Sequence, residues 1–430
     1  MLKIDNRSIS YTSVSVSLLQ QLNSRGGHQT GTDAARIQPQ PGLKFSPSAA
    51  VSAIMRILVE SEGIRASVSS SGNALGMEVE RYVFGADNDA GHITQVRASG
   101  SDNLYLSVVS SNRDHISVGA ADGNDIIQVV GDRVTGVSGE KGNDHISVLG
   151  LASSGPQSGF EAAVDLVQGG DGNDTIAIAG GGNVTRTDGG DGNDSIAITT
   201  GGSIWIVDGG NGADAISISA RNEVQLVDGG DGDDAIAIAT TRGVVGVEGG
   251  QGRDAIAISA GGSVYGLDGG DGDDTIRVTA NWGAFAGGGD GNDVLHLSGS
   301  SVGAGGGDGD DTLLLSGRDL AATGGKGDDV IRLNSTAGRV ATLRMAEGDG
   351  NDAVETNAPL NITRYSSDGT GQLDPANATL ARNDDGTVTV RFEGSNDSVT
   401  IKFTGAMAGR EIVAKVENGT LVIGPSSREA

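Results

Sequence analysis

The chain of 430 residues carries a formal net charge of -27, has 73 glycines and no cysteine, and is 36% hydrophobic but only 3% aromatic. Such a charge disfavours nucleic acid and anionic membranes as partners and favours cations, while the missing cysteines remove disulfides and thiolate metal sites. A core this poor in aromatic residues has to be a thin one of Ile, Val and Leu, and the length leaves room for two or three units.

Residues 1–45 form a first segment, polar and rich in Ser and Gln. The longest apolar run between Met1 and Gln20 is Leu18-Leu19, far shorter than a signal-peptide core, so a non-Sec export route, type I-like or type III-like, is expected. No stretch of the sequence reads as a membrane span. The next segment, 46–118, opens with Ser46-Pro47, an N-cap followed by a first-turn proline, and predicts a short helix over 49–60. Val51, Ile54, Ile57 and Leu58 give it one apolar face, suited to capping or packing, with partner binding as the alternative. Residues 78–118 then read as degraded coils, with short strands at 105–109 and 115–118 and few glycines. Such atypical coils serve as an N-terminal cap or as metal-free rungs.

From 119 to 356 a single phrase dominates. Gly169-Gly170-Asp171-Gly172-Asn173-Asp174, followed by Thr175-Ile176-Ala177-Ile178, returns from Gly189, Gly209, Gly229, Gly249 and Gly269, a period of 20 residues. A short fixed period is the mark of a solenoid, in which one small unit is stacked many times. Counted by its third residue, the phrase occurs twelve times, at Asp122, Lys141, Asp171, Asp191, Asn211, Asp231, Gln251, Asp271, Asp290, Asp308, Lys326 and Asp349. The spacing tightens from 20 to 19 and then 18 residues, and gaps of 30 before Asp171 and 23 before Asp349 mark loops or breaks.

The fourth position is always Gly and the sixth always Asp, namely Asp125, Asp144, Asp174, Asp194, Asp214, Asp234, Asp254, Asp274, Asp293, Asp311, Asp329 and Asp352. Glycine pairs such as Gly170/Gly172, Gly190/Gly192, Gly210/Gly212, Gly230/Gly232, Gly250/Gly252 and Gly270/Gly272 call for left-handed or crowded backbone. The chemistry offered is oxygen only: turn carbonyls made approachable by Gly, plus carboxylates. That suits Ca²⁺, a hard cation taking about 6 to 8 oxygens, whereas softer metals lack Cys and clustered His. Uncompensated carboxylates stacked about 4.8 Å apart would repel one another.

The phrase resembles the G-G-x-G-x-D-x-U-x nonapeptide of RTX (hemolysin-type) calcium-binding β-rolls and covers more than half of the chain. The resemblance implies an all-β fold, a parallel β-roll or β-solenoid whose stacked turns bind Ca²⁺. The glycine pairs just named, the sixth-position aspartates and the third-position Asp122, Asp171, Asp191, Asp231, Asp271, Asp290, Asp308 and Asp349 are then the candidate ligands. One departure matters: each coil has a single such turn, and the opposite turns, such as Thr199-Thr200-Gly201-Gly202, carry no carboxylate. A single ladder along one edge follows. Nine turns in the uninterrupted run and twelve in all leave about eight to eleven gaps for ions, enough to offset most of the negative charge.

In the strand after each turn, Ile176/Ile178, Ile196/Ile198, Ile216/Ile218, Ile236/Ile238 and Ile256/Ile258 point inward, while the outward residues are small. That outward face suits either a packing surface or simple tolerance. The second strand keeps an aliphatic residue at Val184, Ile204, Val224, Val244 and Val264 but shows no clear register; Trp205 and Tyr265 are expected to face outward. Over 357–430 the repeat gives way to strands at 380–382, 387–392, 399–403, 412–416 and 421–423, with hairpin turns at Asp385-Gly386 and Asn418-Gly419, a small antiparallel C-terminal cap. Secreted RTX proteins also carry their export signal at this end.

Enzyme signatures are scarce. Gly299-Ser300-Ser301-Val302-Gly303 matches a nucleophile elbow in letters only, no H-E-x-x-H occurs, and Asp374-Pro375 is the bond type of self-processing RTX modules without the rest of such a module. The expectation is a secreted bacterial calcium-binding protein whose roll folds on Ca²⁺ into a rigid structural, adhesion or effector scaffold. Its partners would be calcium ions and either a second copy or a cell-surface or matrix component. The alternatives are a polysaccharide-modifying enzyme, lyase-like or epimerase-like, and an ice-binding roll. The last would carry Thr at the third turn position, which here is mainly Asp.

Overall fold

In a computed structural model the chain divides into two units, Met1–Pro47 and Ser48–Ala430. The structure describes residues 65–70, 76–83, 92–99, 103–109, 115–151, 162–366, 371–375 and 378–426, all in the second unit. The polar segment 1–45 and the helix expected over 49–60 lie outside the described residues.

The second unit is an all-β parallel solenoid. Strands leaving each glycine-rich turn, such as Thr175–Gly180, Ser195–Thr200 and Ala215–Ala220, stack in register as a first sheet. Strands leading into the next turn, such as Asn183–Asp191, Ile204–Asn211 and Val224–Asp231, stack as a second. The core lies between them. Ile176, Ile196, Ile216, Ile236 and Ile256 pair one above another and are at most 1% exposed. β-Branched side chains hold one rotamer and pack well on a pleated surface, so each coil repeats the contact made by its neighbour.

The second sheet explains why its register was hidden in the sequence. Val184, Ile204, Val224, Val244 and Val264 face inward, but the next inward residue comes three positions later, at Thr187, Val207, Val227, Val247 and Leu267. In three of these coils the extra residue is left-handed: Leu226 (φ 48°), Gly246 (φ 71°) and Gly266 (φ 63°). A bulge thus breaks the period-two pattern.

The shortening coils follow from the same feature. Strand Gly283–Asp290 lacks the bulge, so Val264 pairs with Ala284 while Leu267 pairs with Ala286, and the coil drops from 20 residues to 19. The next coil is trimmed at the opposite turn, where the inward Leu297 and Val302 are closer in sequence than Val278 and Ala284, giving 18. Neither change touches the glycine-rich turn.

The expected degenerate coils are present: His92–Ser99, Leu104–Val109 and His115–Gly119 stack parallel onto the roll. Antiparallel strands Arg65–Ser70 and Gly76–Val83 then close the two sheets at that end. At the other end both expected hairpins form, Thr379–Arg382 with Val388–Arg391 and Ile412–Glu417 with Thr420–Pro425. One strand departs from a purely antiparallel cap. Ser398–Phe403 runs parallel to Asn351–Thr356 and adds a further rung to the first sheet, because its Val399 and Ile401 fall in register with Asp352 and Val354. A 3-10 turn spans Gly405–Met407, and among the described residues no helix is long and apolar enough to cross a membrane.

Leu226 holds a left-handed backbone that its counterparts Gly246 and Gly266 adopt freely, and its side chain is 58% exposed, so little burial is at stake. Leu226→Gly is expected to stabilise the roll by about 0.5 to 1 kcal/mol, read as a higher urea midpoint. A lower midpoint would mean that the exposed leucine packs more usefully than its strain costs.

Candidate metal centre

Every glycine-rich turn is built from two kinds of glycine. Gly170 and Gly172 have φ of 122° and 131°, a region closed to side-chain-bearing residues, and the same pair recurs to Gly270 (110°) and Gly272 (127°). The first glycine of the phrase is needed for space instead. A Cβ on Gly169 would collide with Asp174 Oδ2 and with the carbonyl of Gly189 in the next coil. The same pair of oxygens crowds Gly189, Gly209, Gly229, Gly249 and Gly269.

The sixth-position aspartates point into this crowded space. All twelve, from Asp125 to Asp352, are between 1% and 3% exposed. Oδ1 of each accepts the backbone N–H of the corresponding residue one coil earlier: Asp174 N–H donates to Asp194 Oδ1 at 2.7 Å, and Asp214 N–H to Asp234 Oδ1 at 2.7 Å. The series runs from Leu104 N–H on Asp125 Oδ1 (2.7 Å) to Asp329 N–H on Asp352 Oδ1 (3.2 Å). Oδ2 has no hydrogen-bond partner in eleven of the twelve, Asp125 through Asp329. A column of buried, donorless carboxylate oxygens faces a column of carbonyl oxygens.

Carbonyls that lie beside the inner carboxylates include those of the first position of the phrase. The fourth-position glycines Gly172, Gly192, Gly212, Gly232, Gly252 and Gly272 serve the stacking of coils. A Cβ on Gly192 would strike the Gly172 carbonyl, one on Gly212 the Gly192 carbonyl, one on Gly232 the Gly212 carbonyl, and one on Gly252 the Gly232 carbonyl. Their φ values, 127°, 121°, 133° and 127°, also require glycine. Each donates its N–H to the third-position carbonyl of the next coil: Gly192 to Asn211, Gly212 to Asp231, Gly232 to Gln251 and Gly252 to Asp271, at 2.6 to 2.7 Å. The second-position Gly190, Gly210, Gly230 and Gly250 likewise lie against the carbonyl of their counterpart one coil earlier. Sequence pattern finds glycines that a turn needs, but it does not tell which carbonyl the turn aims at the acid.

Burial drives the inner carboxyls upward, and the neighbouring carboxylates add to it in several. Asp144, Asp194, Asp234, Asp274 and Asp311 are pushed up to about 7, and Asp174, Asp214 and Asp329 to about 6. Backbone N–H donation to Oδ1 opposes the shift without cancelling it.

The third-position carboxylates lie elsewhere. Asp122, Asp171, Asp191, Asp231, Asp271, Asp290 and Asp308 are exposed at the outer lip of the turns. There Asp171 meets Lys141 Nζ at 2.9 Å, Asp308 meets Lys326 Nζ at 2.6 Å, and Asp191 accepts from Asn211 at 2.7 Å. Asp349 alone turns inward, with only 5% exposure. The predicted set is therefore split into an inner column and an outer rim. Among the described residues no three acidic, imidazole or thiol side chains converge on one point; each turn before the last offers one inner carboxylate with backbone carbonyls near it, and the last offers Asp349 and Asp352.

Three features had escaped the sequence reading. The fifth position, which varies in type, carries a second ladder: the side-chain oxygen of Asn143, Asn173 and Asn193 accepts the N–H of the same position one coil later at 2.8 to 2.9 Å. Asp233, Asp273, Asn292, Asp310 and Asp328 do the same, so Asn and Asp are interchangeable there. The signal was the shared amide or carboxylate oxygen.

The inner column is also bounded. Leu104 holds the ladder place before Asp125, and Val399 pairs with Asp352 beyond it. Beside the last turn Arg364, 6% exposed, sits with Nη2 3.6 Å from Glu347 and 3.8 Å from Asp397, its guanidinium 4.8 Å from the Phe392 ring centre. It is the one buried Lys or Arg among the described residues, a resident cation at the end of the acidic column.

Finally, Asp188, Asp208, Asp228, Glu248 and Asp268 pair in register up the outer face of the second sheet. Burial and neighbouring carboxylates raise Asp208 and Asp228. Their common place just before each Gly-Gly was legible but was not singled out. Ser301 of the elbow-like motif opens strand Ser301–Asp308, and its N–H donates to the Trp282 carbonyl, so the motif lies in an inter-sheet turn.

No protein-family model, curated protein or solved structure matches this chain. The donor set itself fits a hard cation: the two oxygens facing each other beside Gly169 have no hydrogen between them, an arrangement that repels until a proton or a cation intervenes.

A linked prediction tests that repulsion without metal. The raised carboxyls hold protons in the folded state that the unfolded chain releases, so their contribution is complete below the ordinary aspartate range and is lost as pH climbs through 6 to 7. In chelator, the β signal in circular dichroism should be strong at pH 5 and fade as pH rises toward 8. Asp234→Asn places an amide donor against the Gly249 carbonyl and should move the half-loss of that signal to higher pH, with little change at pH 5. A β signal that grows with pH in chelator would contradict this.

Proposed function

We propose that the chain is a calcium-binding β-roll of the RTX-like kind, working outside the cell as a rigid structural or adhesion scaffold. The observation that carries the reading is the column of eleven buried Oδ2 atoms without donors, set beside backbone carbonyls of the next coil from Asp144 to Asp311. Sixth-position carboxylates such as Asp174, Asp194 and Asp214, with first-position carbonyls such as Gly189, Gly209 and Gly229, would hold the ions. Bound calcium supplies the positive charge that keeps these carboxylates ionised at neutral pH. The exposed rim of third-position aspartates adds a negative field that draws cations toward the edge.

Scaffold rather than catalyst is favoured because the buried acids lie inside the stack, each tied to a neighbouring coil by a backbone N–H, and none faces a cleft. Loss of the ions would leave like charges one strand spacing apart, so folding and metal binding are one equilibrium. Extracellular calcium modules bind in the range of about 10⁻⁴ to 10⁻³ M, which matches a protein that stays unfolded where calcium is scarce and orders where it is abundant.

Circular dichroism at pH 7.5 is expected to show weak β signal in chelator and a cooperative gain as Ca²⁺ reaches the millimolar range, with Mg²⁺ much less effective because it demands octahedral geometry and dehydrates reluctantly. Full β signal at pH 7.5 in chelator would overturn the reading.

A further inference from the structure

The outer face of the second sheet changes character between Trp205 and Gly305. The chain has only two tryptophans, and both lie in these coils: Trp205 on an outward strand position and Trp282, 66% exposed, at the turn opposite the ladder. Tyr265, 49% exposed, stacks on Phe285 with ring centres 5.3 Å apart and planes 10° from parallel. Beyond that pair the face drops to bare backbone. A Cβ on Gly303 would lie 2.8 Å from Phe285 Cδ1, so the ring rests against that glycine, whereas a Cβ on Gly305 would meet nothing within 4 Å. Asp268, last of the outward carboxylate column, leans over Gly287, where a Cβ would lie 3.3 Å from its Oδ1. An aromatic wall, a glycine floor and a carboxylate thus share one step on the sheet.

The geometry points to this step as a binding site for a linear polysaccharide of amino sugars. The Tyr265–Phe285 stack, its inner faces covering each other and Gly303, presents an exposed apolar edge that the C–H face of a pyranose can pack against. The floor, without side chains, admits a ring lying flat, and Asp268 offers acceptors for hydroxyl or ammonium donors. Charge decides the class of polymer. The site continues the carboxylate row Asp188, Asp208, Asp228 and Glu248, and a cationic glycan gains from that row while a polyuronate or a nucleic acid is repelled. The row repeats at the strand spacing of about 4.8 Å, comparable with the rise of one hexose in an extended chain, so successive sugars meet successive carboxylates. A basic peptide shares the charge but has no use for the flat floor.

The test uses the full chain in saturating Ca²⁺, its β content checked by circular dichroism, titrated calorimetrically with a β-1,4-linked glucosamine hexamer. Saturable binding is expected, with Tyr265→Ala and Asp268→Asn each weakening it by about tenfold. Gly305→Thr should abolish it, since the new side chain fills open space and leaves the fold undisturbed. No saturable binding to a folded sample overturns the proposal and leaves the calcium reading standing, whereas a sample without β content defeats the calcium reading instead. Equal binding of the N-acetylated hexamer, or hexalysine binding as tightly and indifferent to Gly305→Thr, would also overturn it.

Discussion

The roll depends on how it handles a column of buried carboxylates. A lone ionised carboxylate is costly to bury and is tolerated when it is paired, hydrogen-bonded or neutralised. Here eleven of the twelve sixth-position aspartates are half satisfied: Oδ1 takes a backbone N–H from the coil below, and Oδ2 has no donor. The first half welds consecutive coils together. On the proposed reading the second would make the stack conditional on a bound cation; near the end of the column the buried Arg364 lies beside Glu347 and Asp397.

Two ladders cross in the turns and give the stack its register, the outer one interrupted where Ala213 and Arg253 hold the fifth position. In the inner one the later coil's carboxylate accepts from the earlier coil's backbone; in the outer one, at the fifth position, the earlier coil's Asn or Asp accepts from the later. A slipped coil would lose both sets at once. That explains why the coil can shrink from 20 residues to 18 without harm: the bulge near Leu226, Gly246 and Gly266 and the turn opposite the ladder absorb the change, while the glycine-rich turn stays constant.

Much of this architecture was legible in the sequence because its causes are local and repeated. Invariant glycines reported positive φ, and Ile176/Ile178 with their counterparts reported the inward face of the first sheet. The second sheet was not legible, because one left-handed residue shifts its inward pattern from every second position to every third. The split of the acidic residues was also hidden, since Asp171 and Asp174 look alike in a string although one lies on the rim and the other in the core. The same holds for the glycines: Gly189 and Gly192 share a turn, yet Gly189 is needed for space beside an inner carboxylate and Gly192 for its positive φ. Leu104 and Val399, which end the column, carry no turn phrase of their own and are visible only through pairing across coils.

Metal content per folded chain tests the account most directly. Protein folded at pH 7.5 and dialysed to equilibrium against millimolar Ca²⁺, with both sides analysed by elemental mass spectrometry, should retain about eight to eleven calcium ions per chain above the dialysate, one for each gap between stacked turns. A folded chain that retains none at that pH would show that something other than a cation satisfies the buried oxygens.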